Sequence, residues 1–556
     1  MDRKGSTIAL VAMALAAMAA SGSAVGEDIF VDENATGTEP IGETWCTAYT
    51  DLQAALAVAG PGAVIRVANG TYTPTAPDGD RLISFQLANG VELRGGFAGC
   101  GAPDPNFHDP VAFETILSGD LNGDDDTGGD NSENSLHVVT GDGIDETAVL
   151  DGFTITAGHA NGGNPSDRGG GIFIFFRQSS PTISNCVIRG NHAPGNGDPG
   201  LGKGGGMYGS ANTGTLTGCV FADNSATNGG GLYNVSQSSP TVVDCLFESN
   251  EATVLGGGAI NVSGEPSYTG CTFRYNTAAG GGGMANVSSS SPTITNCVFT
   301  ENTAAGGVSP SGGAIYDQGS DPVVANCLFN GNTAGAKGGG ITHILGGSLA
   351  LLNSTFSHNS AGLTGGLRAT SGDIAVTSCV FWNNTDDGGS GESAQILLSG
   401  IGLLSVDYSC VQGLTGSLGG VGNIGDDPVF LDEDGDDNID GTPDDNLRLA
   451  AGSPCINTGA PGFPVELGTT DLDGQPRLAG CRVDMGAYET DTVQLPNDFD
   501  ANGTVDLADF AAFEICFGFA SGNPAWLSTC LCVFDFDASD KIDLADYAAF
   551  QTDLDP

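Results

Sequence analysis

The stretch TITNCVFTEN, Thr293–Asn302, decides the fold. Ile294, Asn296 and Val298 alternate with Thr295, Cys297 and Phe299, so Cys297 and Phe299, two apart, share one face of a strand. The same pair returns as Cys219/Phe221, Cys245/Phe247, Cys271/Phe273, Cys327/Phe329 and Cys379/Phe381. Three residues after each Phe comes an Asn: Asn224, Asn250, Asn276, Asn302, Asn332 and Asn384, with Phe356/Asn359 as a further copy and Ile188/Asn191 as a degenerate early one. Phe221, Phe247, Phe273 and Phe299 are spaced 26 residues apart. Between copies stand GGGMY at Gly204, GGGLY at Gly229, GGGAI at Gly256, GGAIY at Gly312 and GGGI at Gly338. Self-similarity at this period predicts a solenoid rather than a globular enzyme core.

If successive turns stack, parallel strands satisfy each other's backbone and like side chains lie above one another. Phe and Cys are then inward, the Asn after the strand takes a left-handed backbone and forms an amide ladder, and the Gly runs allow tight corners. Coils should lie ~4.8 Å apart, but side chains pointing the same way make poor disulfides, so the Cys column is read as reduced, buried thiols. Better disulfide candidates are Cys455 with Cys481, and Cys516 with Cys530 or Cys532.

Composition narrows the partners. Lys plus Arg total 16 against 67 Asp plus Glu, a formal net charge of -51 over 556 residues. Such a chain repels nucleic acid and anionic membrane surfaces and attracts cations, calcium above all. Glycine, at 89 residues, is abundant without a collagen-like period. Arg3 and Lys4, the apolar run Ile8 to Ala20 and the small residues Ser21 to Ala24 predict a signal peptide over 1–26, hence a secreted or cell-surface protein. No later segment is apolar and long enough to span a membrane. An oxidising compartment permits disulfides among the 15 Cys.

Over roughly residues 140–410, the Phe-x-x-Asn and Gly-Gly alternation resembles the right-handed parallel β-helix of polymorphic outer-membrane proteins and their secreted bacterial relatives. The stretch from Ile29 to Pro74 resembles the entry of such proteins, where a short helix caps the open end; Leu52, Ala55, Leu56 and Ala59 have helical spacing. Leu447 to Gly459 and Asp471 to Glu489 resemble a closing segment that precedes an anchoring module. The resemblance implies an all-β fold: a right-handed parallel β-helix solenoid with an N-terminal helical cap and a small α-helical C-terminal module. Its expected divisions are 1–26 signal peptide, 27–110 cap and first coils, 111–430 β-helix, 431–490 closing segment and 491–556 calcium-binding module.

The strongest chemical signal is in the tail. Asp498, Asp500, Asn502, Asp506 and Asp509 stand at loop positions 1, 3, 5, 9 and 12, with Gly503 at the turn and Thr504 offering its backbone carbonyl. A second copy places Asp535, Asp537, Ser539, Lys541, Asp543 and Asp546 at the matching positions, and both run into apolar helical patterns, LADFAAFEI and LADYAAFQT. The duplicated loop-then-helix resembles the type I dockerin repeat, an EF-hand-like pair that binds two calcium ions and docks onto a cohesin module. Asp540 in place of the turn Gly and Ser539 as a weaker ligand depart from that pattern. So do Leu507/Ala508 and Leu544/Ala545, which stand where the cohesin contacts fall. Two more acidic loops, Asp120 to Asp126 and Asp432 to Asn438, alternate oxygens around a Gly and read equally as weak calcium sites or solvated turns.

Some proteins of this fold are polysaccharide enzymes, and a lyase needs an Arg or Lys base beside a calcium that neutralises the uronate. Basic residues in the body are scattered: Arg168, Arg177, Arg189, Lys203, Arg274, Lys337 and Arg368, of which Arg168 and Arg189 are candidates for neighbouring coils. His159 sits in GHA rather than in a group of Asp residues, and His192, His343 and His358 are dispersed and read as turn residues. The expected function is therefore adhesion, or glycan or envelope binding, at the cell surface, with polysaccharide along the rod and a cohesin-like or envelope partner on a calcium-dependent tail. The alternative is a pectate-lyase-like enzyme that its dockerin carries into polysaccharide catabolism.

Overall fold

Each coil of the body consists of short strands separated by corners. In the coil that begins at Gly229 the strands are Leu232–Val235, Thr241–Val243, Leu246–Glu248 and Glu251–Leu255. Each pairs in parallel with its counterpart one coil on: Leu232 with Ala259, Thr241 with Ser267, Leu246 with Thr272 and Glu251 with Thr277. Repetition generates sheets of 22, 12 and 7 strands, a parallel β-solenoid of about 12 turns. The computed structural model describes residues 28–37, 40–127, 130–175, 178–461, 470–477, 482–490 and 507–517, with isolated positions between 505 and 551.

The motif TITNCVFTEN is two strands rather than one, Thr293–Thr295 and Val298–Thr300. Between them Asn296 takes φ +52°, a left-handed corner that redirects the chain. Simple alternation therefore fails across it, and Ile294, Cys297 and Phe299 all point into the core with 0% exposure. Rings on successive coils stack: Phe247 lies 4.5 Å from Phe273 between centroids, and Phe273 4.8 Å from Phe299. These spacings are the strand-to-strand distance, so the backbone sets the ring stacking.

The expected Asn ladder is present, although its left-handed residue is the one before each Asn: Ser249, Tyr275 and Glu301 carry φ of 54°, 58° and 51°. That kink turns the following amide inward. Asn250 Nδ2 donates to Asn276 Oδ1 at 3.0 Å, Asn276 to Asn302 at 2.9 Å, and Asn302 to Asn332 at 2.9 Å. The same Asn276 oxygen accepts the Asn250 backbone N–H at 3.0 Å, while Asn276 Nδ2 also reaches Phe247 O at 2.8 Å. The column ends where Asn384 Nδ2 donates to Gln395 Oε1 at 2.7 Å. Glycine is required beside it: a Cβ on Gly282 would lie 2.6 Å from the carbonyl oxygen of Gly313.

The coil between Asn302 and Asn332 is 30 residues long, against 26 between Asn276 and Asn302. The extra length is taken up outside the strands, around Gly306 to Pro310, where Val308 is fully exposed.

At the N-terminal end, a helix covers Leu52–Val58; its N-cap Asp51 accepts from Gln53 N, and Leu52 and Ala55 are buried against the core. Cys46 and Cys100, a pair that sequence reading missed, form a disulfide with Cα atoms 5.0 Å apart. The Cys column is free and buried as expected, but Cys455 is also a free thiol, which removes it from the expected bond with Cys481. Cys516 is disulfide-bonded; Cys530 and Cys532 fall outside the described residues. No helix among the described residues is long and apolar enough to cross a membrane.

Replacing Asn276 by Ala strands two donors of Asn250 and leaves Phe247 O without its amide. Such a change should cost about 2–5 kcal/mol, read from the urea midpoint. Thr269→Ala, which loses only an exposed hydroxyl contact to Thr295, should cost about 0.5 kcal/mol or less.

Candidate functional site

Five consecutive strands of the 12-stranded sheet, Gly70–Tyr72, Thr115–Ser118, Thr154–Thr156, Val187–Arg189 and Val220–Ala222, lie side by side. In each, the core takes the inward residue and the outward ones are free to face solvent. Register aligns Ser118 with Thr156, Thr156 with Arg189, and Arg189 with Ala222. Ser118, Thr156 and Arg189, with Thr71, Ile116 and Asp223, floor a trough of about 980 Å³ that runs across the coils. Asp120 to Gly123, Asp125, Asp130, Asn131 and Asn134 form its wall.

The wall carries the acidic loop Asp120 to Asp126, to which the fold adds Glu133. Carboxylate oxygens of Asp120, Asp124, Asp125 and Glu133 lie within 4.8 Å of one another. The expected alternation through Asn122 is not used here, since Asn122 Oδ1 accepts from Asp78 N at 3.1 Å. Asp120 folds the loop: Oδ1 accepts from Gly123 N at 2.7 Å and Asp124 N at 3.3 Å, and Oδ2 from Asp125 N at 3.2 Å. Burial, then the charges of Asp124, Asp125 and Asp120, push the Glu133 carboxyl above its usual range. Glu133 is 13 residues from Asp120, too far for a local motif to reveal.

Arg189 reaches Glu114 at 3.3 Å, and both side chains remain about half exposed. His192 Nδ1 lies 2.6 Å from Ser225 Oγ, and burial lowers its basicity, helped by His159 and opposed by Asp125. Arg168 and Arg189 are on one coil rather than on neighbours, because the coil starting at Gly158 contains both. Arg168 instead packs over Tyr208, 5.4 Å from its ring centre, and pairs with Asp167. His343, expected in a turn, sits fully buried in the strand Ile341–Ile344, 3.9 Å from Asp317. That pair ends a buried polar column through Asn261 and Asn286.

Of the expected tail ligands, Asp509 is described: it is buried in the first turn of the helix Leu507–Phe517. Asp498, Asp500, Asn502, Thr504, Asp506, Asp535, Asp537, Ser539, Lys541, Asp543 and Asp546 lie outside the described residues. Val505, Phe513, Cys516, Phe534 and Phe550 form one buried cluster. In the other acidic loop, Asp444 accepts from Asp437 N at 3.1 Å and Asp437 from Ile439 N at 2.9 Å, a turn closed on its own backbone.

Residues 128–291 and 253–400 match the family model described as a right handed beta helix region. The body is a right-handed β-helix. No curated protein matches the chain. Among solved structures, the β-helix is similar to one titled "Crystal structure of pectate lyase Pel9A", at 14% identity over 84% of this chain and 97% of that one, with a TM-score of 0.42. It is also similar to a rhamnogalacturonan lyase at 14% identity, over 76% of this chain and 97% of the other, with a TM-score of 0.37.

His137, which follows the trough wall, stacks on Phe173 with centroids 4.5 Å apart, and burial pushes its imidazole down to about 4. Its folded pKa is depressed, so the stability it confers is complete above the unfolded value near 6.5 and drains away as pH falls toward 4. In urea titrations the stability margin of the natural protein over His137→Asn should shrink by about 3 kcal/mol between pH 7 and pH 4.

Proposed function

We propose that this is a secreted or cell-surface β-helix protein that binds an extended polysaccharide along the trough, and that its calcium-loaded tail docks the rod to a protein partner. The observation that carries the reading is the trough itself, whose floor is drawn from five coils and runs along the rod. A solenoid surface of this kind fits a repeating ligand better than a small one. Its lining mixes hydroxyl, amide and carboxylate groups and Arg189, which suit sugar hydroxyls, with Ile116, Leu121 and Ala157, which suit the apolar faces of the rings. With Asp120, Asp125, Asp130 and Asp223 against that one cation, an uncharged glycan is favoured over a polyuronate.

The tail reading rests on two loops of matching ligand spacing, with support from the helix that follows the first. Apolar residues from both repeats pack together, as a paired loop–helix module requires. The docking partner is of the cohesin or envelope type. Export follows from the N-terminal signal pattern, and an extracellular setting supplies the calcium.

A second reading, a polysaccharide lyase, is favoured by one observation: Arg189 shares the trough with a group of carboxylates able to hold calcium. Affinity electrophoresis through neutral and uronate polysaccharides separates the two. Retention by a neutral glycan is expected, weakened about tenfold by Arg189→Ala or Asp223→Ala. Retention by none of them sinks the binding reading. Growth of unsaturated-product absorbance with a uronate polymer and calcium puts the lyase in its place. For the tail, calorimetry on the full chain should lose one calcium-binding event with Asp498→Ala and another with Asp535→Ala.

A further inference from the structure

The trough wall holds more negative charge than glycan binding requires. Oxygens of Asp120, Asp124, Asp125 and Glu133 crowd within 4.8 Å, and Asp120, Asp124 and Glu133 join no ion pair among the described residues. The nearby cation, Arg81, acts on Glu133 through space but forms no ion pair with the four acids; its Nε donates to Asn134 O at 2.5 Å, and Nη2 to Asn161 Oδ1 at 2.9 Å and His159 O at 3.3 Å. Like charges held this close repel unless something positive lies between them.

A separate observation points to what that is. Asn134 is only 2% exposed and lines the trough beside Asp120 and Asp125. Its Nδ2 donates to Asp125 Oδ2 at 2.8 Å, which fixes the amide against the acids. Its Oδ1, on that same amide, is buried with no hydrogen-bond partner, as are Asp124 Oδ1 and Glu133 Oε1. Asn234, Asn326, Asn330 and Asn353 also bury an amide oxygen without a donor, and Asn134 differs from them in standing beside a group of carboxylates, two of whose oxygens are likewise unpaired.

We propose that Asp120, Asp124, Asp125 and Glu133, with the amide oxygen of Asn134, bind one calcium ion that fixes the wall of the trough. The donors are all oxygen, several are anionic, and they come from one irregular loop, the set that calcium accepts with its six to eight flexible ligands. Zinc favours imidazole or thiolate, absent from this set, and magnesium demands stricter octahedral geometry. The site is independent of what the trough binds and of the tail loops.

The test uses the full chain carrying Asp498→Ala and Asp535→Ala, titrated with calcium chloride in 0.15 M potassium chloride. One binding event should remain, and adding Asp124→Asn with Glu133→Gln should weaken it by about tenfold or more. No remaining event, or one indifferent to those two changes, overturns the site. A second measurement leaves the cluster intact. In the tail variant, calcium in place of chelator should slow amide exchange over residues 119–135 about tenfold, and unchanged exchange there also overturns the proposal. Should the tail loops bind nothing, the natural chain and the tail variant take up equal calcium, while the cluster changes still report on this site.

Discussion

Everything in the rod depends on one constraint: each coil satisfies its polar backbone through the coils on either side. A strand of three residues has almost no stability alone, and it persists here because its donors and acceptors are met by neighbours in register. The column of Asn amides adds a second coupling inside the core. One amide oxygen takes two N–H groups from the preceding coil, and its nitrogen donates forward to the next amide and back to a carbonyl, so a buried polar group is affordable only because it is saturated. At Gln395 the column closes with a side chain one methylene longer, whose own nitrogen returns to Asn384 O and Ser390 O.

Much of this was legible from the repeat. Inward Phe and Cys, the amide ladder and the Gly corners follow from like residues at a fixed period. Local backbone was less legible. The motif read as one alternating strand bends at Asn296, and the left-handed residue precedes the ladder Asn, where Ser249, Tyr275 and Glu301 share no chemistry that marks them. Stacking dictates those angles, and side-chain identity hardly enters. Cys46 and Cys100 lie outside the repeat, so no periodicity brought them together.

The site was harder to read for a related reason. Repetition explains the residues that face inward, whereas the trough is floored by outward residues drawn from five coils, and any one coil contributes only one or two. Glu133 and Asn134 join Asp120 only once the loop has closed on itself through Asp120's backbone contacts. The acidic loop read from the sequence, Asp120 to Asp126, holds three of those four acids and misses Glu133. The tail is the opposite case: its ligand pattern is contiguous, so sequence alone exposes it.

The long coil around Val308 has a consequence for how such a rod changes over time. Four additional residues between Asn302 and Asn332 leave the Phe stack and the amide column intact, with Phe299 and Phe329 still 5.0 Å apart. Growth at a corner is therefore invisible to the core. Such corners can lengthen, or take new sequences, without disturbing the packing of the interior. The molecule is thereby built as a spine whose packing is indifferent to the length of the loops it carries.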